Sequence, residues 1–216
     1  MWKTHKRTII LTVILTLLPM VAGIVLWEKL PEVMVTHWGI NNEPNGWMSK
    51  PMAVFGLPLL CAALELVCVF ATDRDTRSGN ITPKAKTIVL WIIPLVTWVC
   101  SAFTYGYAFY EKINIGLICC LMVGLLFIAL GNQMPKQMQN HAFGIRTKLT
   151  LSDEDVWRAS HRFGGWAFTI GGVVVIVAAF LQWWWVSLVV LCLIAVLTLL
   201  YPRWYYNKRT RKQEIP

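Results

Sequence analysis

PKAKTIVLWIIPLVTWVCSAFTYGY, residues Pro83 to Tyr107, sets two lysines just before twenty residues, Ile88 to Tyr107, that carry no charge. At about 1.5 Å of rise per residue, roughly 20 residues cross the hydrocarbon core of a bilayer, so this stretch reads as a transmembrane helix. Five more apolar runs accompany it: Ile9 to Leu26, Ala53 to Ala71, Ile115 to Leu130, Gly165 to Phe180 and Val186 to Tyr201. The last three are short and must borrow flanking aromatic residues to reach both interfaces. A hydrophobic fraction of 56%, with only 14% charged residues and a mean hydropathy of +0.55, is far from a soluble domain, where about a quarter of residues are charged. The expected fold is an all-α integral membrane protein, a bundle of six transmembrane helices forming a single membrane domain over residues 1–216.

The basic residues supply an orientation. Setting the six runs aside leaves seven segments, which hold in order three, two, four, one, five, zero and five of the 20 lysines and arginines. Seventeen thus fall in alternate segments, and the positive-inside rule places those four, with both termini, in the cytoplasm. The same asymmetry accounts for the net charge of +9, and no basic stretch is interleaved with aromatics for base stacking, so direct nucleic-acid binding is not expected. Lys3, Lys6 and Arg7 before an apolar run ending near Val21-Ala22-Gly23 resemble a signal peptide, but the run exceeds the roughly 7 to 15 residues of a signal core. It reads as a retained first helix.

All six cysteines lie within the apolar runs and none forms a C-x-x-C pair in a loop, which fits packing rather than redox or zinc chemistry. No cofactor is called for. Trp27, the Trp183-Trp184-Trp185 run and Trp204 sit at run ends, where indole rings rest at headgroup level among the membrane lipids. No internal repeat or inverted pattern of broken helices is visible.

The outer loop, residues 27–52, contains LPEVMVTHWGINNEPNGWMSK from Leu30 to Lys50. Alternating Val33 and Val35, then Asn41-Asn42 and Pro44-Asn45-Gly46, favour a short hairpin or compact lid. His37 has Glu32 and Glu43 nearby, too thin a set for a metal site, so it is read as a hydrogen-bonding or ligand-contacting histidine. Trp38 and Trp47 have two readings, interfacial anchors or partner contacts. The inner loop, residues 131–164, divides into an irregular part ending near Leu151 and a short amphipathic helix. Ser152 is the expected N-cap, Asp153, Glu154 and Asp155 fill the first turn, and Gly164-Gly165 ends it. Trp157, Ser160 and His161 share a face, and Glu154 stands four residues before Arg158 in the favourable ion-pair order. Arg146 beside Gly144 suits capture of a carboxylate or phosphate, with Glu154 or Asp155 as the expected partner and a lipid headgroup or ligand as alternatives. Glu65 interrupts the second run. A carboxylate there is costly, about 2.5 to 3.5 kcal/mol on insertion scales for comparable charges, so it should face other helices, with Thr97, Ser101, Thr104 and Tyr105 as candidate partners.

Leu30-Pro31, His37, Pro44-Asn45-Gly46, Trp47, Lys50 and Pro58 in the outer half resemble the SdpI family of membrane immunity proteins associated with sporulation-delaying toxin peptides. So do Gly131-Asn132, Pro135-Lys136, Asn140, Gly144-Ile145-Arg146-Thr147, Thr150-Leu151-Ser152, Trp157 and His161-Arg162 in the inner half. Lys148-Leu149 stands where family members often have Pro-Trp, and Ser160 where Thr is usual. The resemblance implies immunity against a secreted, membrane-active toxin peptide. In the family's best-known arrangement the toxin-bound protein also holds a small winged-helix repressor at the membrane. His37, Trp38, Asn45, Trp47 and Lys50 would then meet the toxin, and Asn132, Asn140, Gly144, Arg146, Thr147, Trp157 and His161 would serve the cytoplasmic partner. The alternative is a small proton-coupled transporter or exporter using Glu65. An enzyme is not expected, since no nucleophile–base pair, H-E-x-x-H or Gly-rich phosphate loop occurs. Oligomeric state is not legible.

Overall fold

A computed structural model describes residues 2–39, 41–110 and 113–213. Ile40 and Lys112, included in the loops above, lie outside the described residues, as do the side chains of Lys3 and Lys212. Among the described residues six helical stretches are long and apolar enough to cross a membrane: His5–Val25, Met52–Arg74, Pro83–Tyr107, Ile115–Lys136, Glu154–Phe180 and Trp184–Arg211. The last three run well beyond the apolar cores that announce them. Outward faces carry Val25, Leu60, Val67, Leu125, Val177 and Leu199, all exposed, as lipid-facing residues should be.

The chain forms two compact units. The first combines Met1–Asp73 with Thr87–Ile118. Its opening span is broken in two, α1 (Trp2–Leu17) and α2 (Pro19–Val25). Pro19 has no N–H for the Leu15 carbonyl four residues earlier. The indole Nε1 of Trp98, from α4 (Pro83–Tyr107), donates to that carbonyl at 2.9 Å. Tyr105 of the same helix donates its hydroxyl to the Pro19 carbonyl at 3.2 Å. After α2 come strands β1 (Val33–Trp38) and β2 (Pro44–Ser49), a π-helical turn at Met52–Gly56 and α3 (Leu57–Arg74). Leu30, Met34, Ala53, Val54 and Tyr105 form one buried cluster, so the foot of the hairpin is part of the apolar core.

The second unit combines Arg74–Lys86 with Cys119–Pro216. It contains most of α5 (Ile115–Gln133), the short α6 (Lys148–Ser152), α7 (Glu154–Phe180) and α8 (Trp184–Gln213). Two expectations are corrected here. Gly164-Gly165 does not end a short helix, because α7 runs unbroken through both glycines to Phe180. Its N-cap is Asp153, not Ser152: the Asp153 carboxylate accepts from the N–H groups of Asp155 and Val156, at 2.8 and 3.1 Å, while Ser152 closes α6 and donates back to the Leu149 carbonyl.

The glycines serve packing. A Cβ on Gly172 would lie 2.5 Å from the Gly124 carbonyl, and one on Gly124 would lie 2.7 Å from the Gly172 carbonyl. Seven residues away on each helix, Gly131 and Gly165 repeat the relation, at 2.8 and 2.9 Å. In lipid, helices associate through close van der Waals contact, and these two pairs let α5 and α7 meet backbone to backbone. Gly172→Leu is therefore expected to destabilise the unit by about 1–3 kcal/mol or more, as overpacking does. Thermal unfolding in detergent should show a lower apparent Tm for Gly172→Leu and none for Gly79→Ala, where a Cβ meets nothing within 4 Å.

Candidate functional site

Two irregular segments carry the candidate residues. In the hairpin, Val35 pairs with Trp47 and His37 with Gly46. A Cβ on Gly46 would lie 2.8 Å from that of His37, so glycine is what lets the strands close there. His37 Nδ1 donates to Asn45 Oδ1 at 2.5 Å, which fixes the imidazole across the turn. Strand alternation puts Val33, Val35 and Trp47 on one face and Met34 on the other. Met34 is buried, whereas Val33 and Trp47 are more than half exposed, leaving an apolar face uncovered by the described residues. Trp38 packs edge-on against Tyr107, and its indole N–H is buried without a partner among the described residues.

Lys50 proves to be a latch. Its ammonium is buried, donates to Glu32 Oε1 at 2.9 Å and to the Trp27 carbonyl at 3.2 Å, and lies 5.2 Å from the Trp27 ring centroid. Asn42, a turn residue by sequence, ties down the hairpin's tip: its Oδ1 accepts from Gly116 N–H at 2.8 Å and its Nδ2 donates to the Ile113 carbonyl at 3.2 Å. Its φ of 62° is a conformation asparagine tolerates better than most residues.

The second segment, residues 137–161, is a knot of side chain to backbone hydrogen bonds. Asn140, fully buried, accepts on Oδ1 from the N–H groups of Ala142 and Phe143 and donates from Nδ2 to the Met138 carbonyl. Gly144 has φ +104°, and a Cβ there would lie 2.0 Å from His161 Nε2. Only glycine fits on both counts. The same Nε2 accepts from Ile145 N–H at 3.0 Å, while Nδ1 donates to the Trp157 carbonyl at 2.9 Å, so the ring carries its proton on Nδ1. Trp157 stacks on His161 at 3.8 Å between centroids and donates from Nε1 to the Gln137 carbonyl at 2.9 Å. Thr147 and Thr150 form a reciprocal capping box that starts α6.

Arg146 does not pair with Glu154 or Asp155. Its guanidinium donates to the His141 carbonyl, and those carboxylates are taken by Arg158, at 3.9 and 2.9 Å, with Arg209 also 3.3 Å from Asp155. Asn132 lies apart from the knot, in the last turn of α5, accepting from Lys136 Nζ at 3.0 Å. Among the described residues no three His, Cys, Asp or Glu side chains gather to hold a metal ion.

Glu65 is buried in the first unit. Its Oε2 is 2.7 Å from Thr16 Oγ1, on the opening span rather than on α4, and among the described residues its Oε1 has no partner. The partners expected on α4 are thus replaced by a threonine from the other side.

Sequence reasoning passed over Asp75, which organises the knot from outside it. Asp75 Oδ1 accepts from Arg77 N–H at 2.8 Å and from the His141 ring at 3.1 Å, and Oδ2 accepts from His141 N–H at 2.8 Å. Burial pushes this carboxyl up, but the backbone donors of Arg77 and His141 and the His141 ring outweigh it, leaving its pKa below the ordinary carboxylate value. The sequence signal is two acids, Asp73 and Asp75, inside a segment otherwise rich in Lys and Arg. Asp153 is likewise low: burial raises it, and the Val156 and Asp155 N–H groups with Arg209 more than compensate.

A depressed folded-state value means that Asp75 stabilises fully above its unfolded pKa, about 3.9, and loses that contribution as pH falls through the folded value. Asp75→Asn is expected to cost about 1–3 kcal/mol at neutral pH, the penalty for disrupting buried donors. Hydrogen exchange over residues 137–147 should show faster opening in the variant at pH 7, with the difference from wild type shrinking below about pH 3.9.

Both segments fall where known proteins match. The SdpI/YfhL protein family matches residues 136–202, and a domain of unknown function, DUF1648, matches residues 14–62. The immunity protein SdpI of Bacillus subtilis (strain 168) is 30% identical over 206 residues, covering 92% of this chain and 96% of its own. No solved structure matches. With six apolar spanning helices and this likeness along almost its whole length, the chain is a multi-pass bacterial membrane protein that belongs to the SdpI family.

Proposed function

We propose that this protein confers resistance to a secreted, membrane-active toxin peptide, with the β1–β2 hairpin on the external face and the 137–161 knot, with both termini, in the cytoplasm. The observation that carries this is the likeness to an immunity protein through both segments, at 30% identity over 92% of the chain. Geometry sorts the candidate residues within it. Trp47, with Val33, presents the uncovered apolar face that an amphipathic peptide would meet, and His37 with Asn45 sets a polar edge beside it. Lys50 is buried and acts by holding the hairpin's foot.

On the inner side Asn140, Gly144, Thr147, Trp157 and His161 build the knot's conformation, with Asn140, Trp157 and His161 at 0 to 1% exposure. A cytoplasmic repressor of winged-helix type would therefore meet what the knot displays, Arg146 foremost. A second reading, proton-coupled transport, draws on the unpartnered Oε1 of buried Glu65.

Expression in a toxin-sensitive bacterium tests the first reading. Trp47→Ala is expected to lower the protective dose range about tenfold or more at unchanged membrane abundance, as loss of a hot-spot tryptophan does, and His37→Ala to lower it less. Full protection by both variants would remove the hairpin from toxin contact. Glu65→Gln separates the two readings: protection that persists across a pH series in this variant excludes a proton relay through Glu65.

A further inference from the structure

A cleft of about 460 Å³ opens beside the contact of α5 and α7. It exists where Gly131 and Gly165 bring no side chains, and Pro135 and Trp166 form apolar walls. Lys136 and Arg162, both exposed, bring two positive charges to it, and no Asp or Glu lines it. Asn132 orients Lys136 through its 3.0 Å contact with the ammonium. Among the described residues neither Lys136 nor Arg162 forms an ion pair, in contrast to the adjacent Arg158, which is neutralised by Asp155 and Glu154. The cleft also sits at a definite depth. The apolar run of α5 ends at Leu130 and that of α7 begins at Gly165, so charge and hydrocarbon meet here, and Trp166, at 67% exposure, lies on the apolar side of that boundary. An exposed indole next to exposed cations at a span's end marks headgroup level.

We propose that this cleft is a specific site for an anionic phospholipid, its phosphate held by Lys136 and Arg162 and an acyl chain lying against Trp166 in the space left by Gly131 and Gly165. Two uncompensated cations favour a headgroup of net negative charge, whereas a zwitterionic headgroup brings an ammonium or choline cation that finds no carboxylate in this cleft. The apolar walls select a lipid over a soluble anion, which would leave them unfilled. Basic recesses between spanning helices are sites of this chemical kind.

Native mass spectrometry of the full chain, released from mild detergent with an equimolar mixture of phosphatidylglycerol and phosphatidylcholine, tests the site. Phosphatidylglycerol adducts are expected to prevail about tenfold or more, the effect of two cations near a phosphate. Lys136→Gln/Arg162→Gln should equalise the two lipids, and the charge-preserving Lys136→Arg/Arg162→Lys should restore the preference, which separates charge from misfolding. Lys84→Gln/Lys86→Gln, which removes the same charge from another basic segment, should keep it. Equal retention by the wild type, a preference that survives Lys136→Gln/Arg162→Gln, or one lost equally in Lys84→Gln/Lys86→Gln would overturn the proposal. So would displacement of the lipid by glycerol phosphate alone, which would show a headgroup-only anion site.

Discussion

A backbone N–H or C=O in hydrocarbon has no water to turn to, and this structure is organised by that demand. The carbonyl of Leu15 shows it in its simplest form. Pro19 breaks the opening span and withholds one hydrogen bond, and the indole of Trp98 supplies it from α4. Were that donor missing, an acceptor facing hydrocarbon rather than water would stand bare, at a cost of about 1–3 kcal/mol, a sizeable share of a typical domain's net stability. The break is therefore tolerated only because a second helix is committed to it. At the spans' ends the demand is met differently. The 137–147 segment has little regular structure, yet Asn140, His161, Asp75 and Asn80 reach its backbone groups one by one.

The glycines follow from the same solvent. With lipid on the outside as apolar as any leucine, burial of hydrophobic side chains gives little reason for helices to adhere, and contact distance decides instead. Gly124 and Gly131 on α5 meet Gly172 and Gly165 on α7, each helix carrying its pair seven residues apart. A glycine in a helix interior costs about 1 kcal/mol relative to alanine. At these four matched positions the close backbone approach offsets that cost through packing. That packing explains why Gly164-Gly165, a plausible helix end by composition, lies inside a helix of 27 residues.

How much was legible follows from which physics each feature obeys. Spans were readable because hydrophobic length is a property of contiguous sequence, and the hairpin because Asn and Gly at 41–46 carry their turn chemistry locally. The family signature was readable as residues, not as roles. Sequence marks Lys50 as a signature residue, and its burial against Glu32 and Trp27 emerges only in the folded chain. Asn42 looked like a turn and fastens the start of α5. Arg146 bonds the His141 carbonyl in place of the expected carboxylate. Asp75 was invisible because its partner His141 lies 66 residues away, and nothing local distinguishes an acid that will be buried from one that will be solvated. Capping missed by one residue because Ser152 and Asp153 are both good caps, and the choice between them rests partly on Arg209, far along the chain.

These roles change what a loss of function would mean. Gly144, Asn140, Trp157 and His161 are interlocked: the imidazole fills the space that a Cβ on Gly144 would need, accepts from Ile145, donates to Trp157 and stacks on its ring. Removing the side chain of Asn140, Trp157 or His161 leaves backbone groups without their partner, and a side chain on Gly144 displaces the imidazole, so each substitution reports on conformation before recognition. Trp47 and Arg146 stand on the other side of that distinction. Trp47 lies on a face the chain itself leaves open, and Arg146 is exposed on a segment whose shape is set by its neighbours. Under the proposed function, recognition falls to a few displayed side chains on two scaffolds, and the buried signature is the means by which those scaffolds hold their form.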